Sequence, residues 1–239
     1  MKSLLLILLF VLQMLSAAAY AQTRLTLASS SSPLGMASSH MVVEILKQAH
    51  IESSVVILPY RRATAESRSA RVDGEVGRVA NYADNFPELI RVEPAYYAYT
   101  TNAFCKTAKG INLQQRKELK PYKLGIVRGI KQFSDLVAGF PNVTEANDIA
   151  QLFAMLNYDR FDIAISSSFT GKVELKKQGI KDVAECGEFS RHDLFLFLHV
   201  KHKALLPSIS AAILKLQKSG EMTKLVQKAE QQVLDQVGN

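Results

Sequence analysis

Phe161-Asp-Ile-Ala-Ile165, then Ser166-Ser-Ser168, then residues 171–178 make one strand, loop and helix in succession. The first piece is a short apolar run of buried-strand type, the serines are loop formers, and the last piece suits a helix. Working outward, the same unit recurs. Residues 123–127 read as a strand, Gly129 as a turn and 132–138 as a short helix. Asn147 can cap a helix carrying Ile149, Leu152, Phe153 and Leu156. Nearer the amino end, Leu25-Thr-Leu-Ala28 reads as a strand and 29–33 as a serine-rich loop. A helix follows with Met41, Val42, Ile45, Leu46 and Ala49 on one face. Next come a strand at 55–58, a helix at 61–70, a short strand or turn at 72–76 and an extended piece at 89–92. This β-α-β-α order predicts an α/β chain with open, mostly parallel sheet.

A long extended stretch, 96–106, separates the two runs of units, and strands at 183–189 and 194–200 follow the second run. Two helices, 206–218 and 221–237, close the chain and are separated at Gly220. Two doubly wound α/β lobes joined by extended hinge segments near 97–106 and 187–197 account for this layout better than one continuous sheet. The expected division is 22–102 for the first part of lobe 1, 103–192 for lobe 2 and 193–239 for the return into lobe 1. In open α/β sheets ligands bind beyond the carboxyl ends of strands, so the loops after Ala28, Leu58, Val76, Val127 and Ile165 should face a cleft.

Residues 1–21 read as a secretory signal peptide, with Lys2 as positive start, an apolar run over 4–15 and Ala19-Tyr20-Ala21 as a small-x-small cleavage site. The run is too short for the roughly 20 residues of a spanning helix. Cleavage after Ala21 would leave Gln22 first, and 218 of 239 residues, with the formal charge falling from +7 to +6 through loss of Lys2. No cysteine stands at the first mature position, so a lipid anchor is not expected. The mild positive charge is spread along the chain, which argues against nucleic acid as a partner and suits anionic solutes or ordinary solubility.

Chemistry-bearing motifs are few. The sequence contains no Gly-x-Ser-x-Gly, Walker or dinucleotide fingerprint, and its five histidines are scattered. His192-Asp193 are neighbours on an extended chain and should point to opposite faces. The two cysteines, Cys105 and Cys186, make a poor zinc site, and no cofactor or metal is expected. In an oxidising compartment they are either a disulfide or two buried thiols.

The order of Pro59-Tyr60-Arg61-Arg62-Ala63, Arg71-Val-Asp73-Gly74-Glu75, Arg78, Pro87-Glu-Leu89, Val92 and Pro94 resembles the first lobe of family 3 periplasmic solute-binding proteins. Tyr122-Lys-Leu-Gly125-Ile-Val-Arg-Gly129, Met155-Leu156 and Arg160-Phe-Asp162-Ile-Ala-Ile165 resemble the second lobe. The likeness spans the mature chain and implies a type II periplasmic-binding-protein fold, a monomer in the periplasm. The implied partners are a small-molecule solute, usually an amino acid or other carboxylate, and an inner-membrane ABC permease or a receptor. Two departures stand out. Arg78 follows Glu75-Val-Gly77 without the usual preceding Ser or Thr, and Ser166-Ser-Ser168 stands where such proteins carry an Asp for a ligand ammonium.

The candidate ligand residues are therefore Arg78, whose fork suits a carboxylate or phosphate, with Glu75 as its partner or positioner. Tyr60 and Arg61 are candidates for stacking on or capping a planar ligand. Ser30 offers a hydroxyl after the first strand. Tyr97 is a candidate on the first crossover, where alternation places it with Tyr99 and opposite Tyr96. Arg128 and Gly129 precede a helix whose free N–H groups suit an anion. Ser167 takes the place of the missing acid. The expectation is a non-enzymatic binder of a carboxylate-bearing solute. Alternatives are a dehydratase-like enzyme with Glu75 as general acid, and a sensor subunit.

Overall fold

The computed structural model describes residues 24–84 and 86–237, so the expected signal peptide lies outside the described residues. In chain order the regular elements begin with β1 (Arg24–Ser29), α1 (Pro33–Gln48), β2 (Glu52–Ile57), α2 (Tyr60–Arg68), β3 (Gly74–Val79), β4 (Leu89–Arg91) and β5 (Tyr97–Lys106). They continue with β6 (Leu124–Val127), α3 (Lys131–Val137), β7 (Val143–Ala146), α4 (Ile149–Asn157), β8 (Ile163–Ser167) and α5 (Ser168–Gln178). The last are β9 (Val183–His199), α6 (Leu206–Lys218) and α7 (Glu221–Gln236).

Local chemistry sets these bounds. Ser32 caps α1 by accepting from the Gly35 amide at 3.1 Å, and Pro33 opens the helix where its missing N–H costs nothing. Asp148, one residue after the expected Asn147, caps α4 by accepting from the Gln151 amide at 2.8 Å. In α6, Ile209, Ala212, Ile213 and Leu216 recur at helical spacing and are all buried. Gly220, in the left-handed region at φ +74°, separates α6 from α7 as expected.

The strands form one hydrogen-bonded sheet in the order β2-β1-β3-β9-β5-β8-β6-β7, with β4 also on β9. Pairs β1–β2, β1–β3, β6–β7 and β6–β8 are parallel, as a βαβ chain requires, whereas β9 runs antiparallel to β3 and β5. The expected hinge segments are β5 and β9, which are long enough to belong to both halves, so the ladder runs through them. Two expectations are corrected. The strands expected at 183–189 and 194–200 are one strand of 17 residues. Its middle, Ser190-Arg-His-Asp193, reads as a break because both faces are polar, yet it stays paired with β5 through Thr101, Thr100, Tyr99 and Ala98. Second, Ser166 and Ser167 end β8 and Ser168 opens α5, so the expected serine loop does not form.

Separate cores flank this shared pair. One packs α1, α6 and α7 on β1, β3 and the end of β9 through Leu25, Leu27, Met41, Ile45, Leu196, Leu198 and Ile213. Phe169 and Val173 of α5 join it, although that helix follows a strand of the other half. The second half carries a core on each face of its sheet, one around Ala103, Leu124, Ile163 and Phe133, the other around Phe104, Phe153, Leu156 and Phe161. Among the described residues no helix is long and apolar enough to cross a membrane.

Candidate functional site

Strand β3 carries the most concentrated polar chemistry. Glu75 lies opposite Phe197 and Arg78 opposite Phe195, so three steps on β3 match two on β9. That extra residue is a β-bulge, and Gly77, at φ +67°, supplies the backbone conformation it needs. Residues three apart on a regular strand face opposite sides, but the bulge turns Glu75 and Arg78 to the same side. Arg78 Nε then donates to Glu75 Oε2 at 2.9 Å, and Nη2 donates to the same oxygen. Glu75 is fully buried and Arg78 is 8% exposed.

The second oxygen of Glu75 accepts from the Tyr82 hydroxyl, and Thr64 Oγ1 of α2 stands 2.6 Å from that hydroxyl. Burial and the charge of Glu75 push the Tyr82 phenol far up, so it is a neutral donor. The Arg78 guanidinium carbon lies 4.5 Å from the ring centre of Tyr60 and 4.8 Å from that of Tyr82, in cation–π range.

A second polar group crosses the hinge strands. In register, Ser167 of β8, Thr101 of β5 and Ser190 of β9 form one row, with Tyr99 opposite His192 two residues along. His192 Nε2 is 2.8 Å from Ser190 Oγ and 3.2 Å from Thr101 Oγ1, and its ring stacks on Tyr99 at 4.9 Å between centres. Burial lowers the His192 pKa, which favours neutral imidazole. Tyr99 is pushed up to about 12 by burial, with a smaller contribution from the phenol of Tyr60, the first residue of α2. Ser167 precedes α5 without capping it through its side chain and is almost buried, so its hydroxyl remains available.

The structure thus brings together Tyr60, Glu75 and Arg78 in one cluster and sets Ser167 on the neighbouring row. Other expected ligand residues lie apart. Glu75 is the partner of Arg78, as expected, taking Nε and one N–H of Nη2 and leaving the Nη1 end of the guanidinium without a protein hydrogen bond among the described residues. Tyr97 is nearly buried and donates to Glu230 of α7, so it anchors the hinge strand to the first core; burial, then Glu230, raise its pKa far above the ordinary value. Ser30 shares a 2.9 Å hydrogen bond with the capping Ser32. Arg128 is exposed and donates to Glu145 at 2.8 Å, while Gly129, at φ +84°, turns the chain into α3, which has only seven residues and no side-chain cap. Arg61 is exposed on the first turn of α2.

Sequence reasoning missed Tyr82, Thr101 and His192 as parts of this region. The register of the two hinge strands is the signal that unites Thr101 with His192, and it is set by pairing across 91 positions of chain. As expected, His192 and Asp193 do not pair, since Asp193 lies 3.6 Å from Arg191. Cys105 of β5 and Cys186 of β9 are paired as a disulfide with Cα atoms 6.0 Å apart. No group of three potential metal ligands occurs among the described residues.

No family model matches the chain. An uncharacterized protein of Shewanella oneidensis is 25% identical over 194 residues, covering 77% of this chain and 72% of that protein. Among solved structures, an amino acid ABC transporter substrate-binding protein from Streptococcus pneumoniae bound to L-arginine superposes with a TM-score of 0.69 at 15% identity, over 91% of this chain and 99% of the other. The GluR0 ligand-binding core with L-glutamate gives 0.73 at 12% identity over 87% and 98%. A histidine kinase sensor domain with similarity to periplasmic binding proteins gives 0.69 at 12% over 87% and 95%. With these neighbours, the continuous ladder through β5 and β9 and the cores on either side of it identify the chain as having the type II periplasmic-binding-protein fold.

Proposed function

We propose that this chain is a non-enzymatic solute-binding protein, in which residues 22–102 with 193–239 close against 103–192 on a small molecule held at the hinge strands. The observation that carries this reading is the row Ser167, Thr101, Ser190 and His192 beside the Tyr60–Arg78 cluster. It is a set of neutral hydrogen-bonding groups and ring faces supplied by both halves. Delivery to an inner-membrane importer is the leading role, supported by the transporter-associated neighbours. Presentation to a membrane receptor is the second, favoured by the kinase sensor neighbour. The protein acts as a monomer in the periplasm after cleavage behind Ala21.

A dehydratase-like reaction with Glu75 as general acid is disfavoured, because both of its oxygens act as acceptors toward Arg78 and Tyr82. A carboxylate on the solute, as the sequence suggests, would use the Nη1 and Nη2 end of the Arg78 guanidinium, which Glu75 leaves open, or the exposed Arg61. Native mass spectrometry of protein isolated from the periplasmic fraction without refolding tests the proposal. A discrete bound small molecule and an amino terminus at Gln22 are expected. Enzymatic turnover of the bound molecule, or no retained molecule under any native condition, would overturn it.

A further inference from the structure

We propose that Tyr82 is a positioning residue of the solute site: its hydroxyl holds Glu75 so that Glu75 keeps the open Nη1 and Nη2 edge of Arg78 aimed at a carboxylate of the solute. This role rests on the solute-binding reading and adds to it the group that aims Arg78. Its basis is the shape of the ion pair. An arginine and a carboxylate with nothing else bound meet fork to fork, in two parallel N–H···O bonds to two oxygens. Here Nε of Arg78, at 2.9 Å, and Nη2 both converge on Oε2 of Glu75. Oε1 is taken, because the Tyr82 hydroxyl donates to it. Tyr82 thereby bars the two-oxygen grip and fixes the tilt of the guanidinium. The edge left over is reachable. Among the described residues the sealed side-chain atoms without a partner are the hydroxyls of Ser38, Ser53 and Ser166, so Nη1 of Arg78, which has no protein hydrogen bond there, is open to solvent.

Tyr82 is itself held from behind. Its ring meets Phe86 and Phe197 edge-on, with centres 5.6 Å and 5.4 Å away, so packing fixes where the hydroxyl stands. The phenol keeps its proton, pushed up by burial and by the charge of Glu75, and that single proton goes to Glu75. Thr64 Oγ1, 2.6 Å away, is therefore the donor to the phenol oxygen and braces it from α2. The rings of Tyr60 and Tyr82 lie 4.5 Å and 4.8 Å from the guanidinium carbon and resist its tipping. Without the Tyr82 hydroxyl, Oε1 of the fully buried Glu75 would lose its donor, and Nη2 of Arg78, already on the same carboxylate, is at hand to replace it. That exchange would rotate the guanidinium and carry its open edge off line.

Protein carrying isotope-labelled arginine is titrated separately with acetate, succinate and L-glutamate, and the Arg78 Nε–H resonance, assigned by its loss in Arg78→Lys, is followed by NMR. In the wild type at least one of these carboxylates should shift that resonance to saturation. In Tyr82→Phe the resonance should already move without ligand, as Nη2 leaves Oε2 for Oε1. The affinity for the same carboxylate should fall about tenfold, the loss of one aligned charge-assisted hydrogen bond. A merely structural phenol would lower the unfolding midpoint of Tyr82→Phe and leave both the resonance and the affinity at wild-type values. That result overturns the positioning role and leaves solute binding standing. Failure of all three carboxylates to move the wild-type resonance overturns the use of the open edge and the positioning role with it, while the mass retained by the native protein decides solute binding separately. If Tyr82→Phe does not fold, Thr64→Val removes the brace and leaves Tyr82 in place; a smaller loss in the same direction is expected, and wild-type values overturn the role.

Discussion

The Gly77 amide donates a 2.9 Å hydrogen bond to the hydroxyl of Tyr96, and this contact pins the bulge that places Glu75 and Arg78 side by side. Tyr96 is almost fully buried, so the phenol serves as an internal partner for an amide that the bulge takes out of the ladder. Tyr96→Phe keeps the ring and deletes the oxygen. It should cost about 1–3 kcal/mol in urea unfolding, the penalty for an unsatisfied buried donor. An unchanged midpoint would show that the bulge is held by other contacts.

Reduction of Cys105–Cys186 should loosen the base of the second half. The bond closes a separation of 81 residues, and removing it by the paired substitution Cys105→Ser and Cys186→Ser should lower stability by about 2–4 kcal/mol. Intact mass before and after reduction should differ by two hydrogens. Free thiols in the unreduced protein would contradict the pairing.

Two glycines permit ring-to-backbone contact in the second half. A Cβ on Gly171 of α5 would stand 2.2 Å from Phe104, and one on Gly125 of β6 would stand 2.2 Å from Phe161. Gly171→Ala should therefore destabilise by about 1–3 kcal/mol through overpacking, even though alanine is the better helix former. Thermal unfolding checks the sign, and a raised midpoint would mean the Phe104 ring can move aside.

Asp73 couples stability to acidity. Burial works against its charged form, but Lys201, the Thr26 amide and His202 outweigh burial and hold its pKa below the ordinary value. With the folded value below the unfolded one, its contribution is fully present above the unfolded pKa, about 4. It is lost as pH falls through the folded value. Asp73→Asn should reduce stability at neutral pH and flatten its decline on acidification. Urea midpoints from about pH 7 to pH 3 measure both, and parallel curves for the two proteins would contradict the assignment.

His192 is expected to titrate below the ordinary histidine range because burial disfavours its charged form. Its imidazole resonances, followed by NMR, should move with a midpoint below 6.5, the ordinary histidine pKa. A midpoint above that value would place a stabilising anion beside the ring and contradict the neutral hinge row.

Much of the fold is legible in the chain because βα units combine two hydrophobic periods with turn formers. The helices at 206–218 and 221–237 and the strands around 25–28 and 123–127 are set by local pattern. The continuity of β9 is not, since Ser190 to Asp193 lack the apolar face that marks a strand and are held by pairing with β5. Strand β7, with a mostly exposed Val-Thr-Glu-Ala, is an edge whose identity comes from β6 alone. In the candidate site, Arg78 and Glu75 are visible as neighbours, but the bulge that joins them depends on Tyr96, nineteen residues from Gly77. Tyr97 misleads because alternation gives a face and not what covers it, and Glu230 covers it from the last helix.

Binding of a solute between the two halves is read by hydrogen–deuterium exchange of the wild-type protein with and without a low-molecular-mass cell extract. Slowed exchange is expected at once in the first turn of α2 around Tyr60, in β5 at 99–101 and around Ser167 at the start of α5. Protection confined to one half, or identical exchange with and without extract, would contradict it.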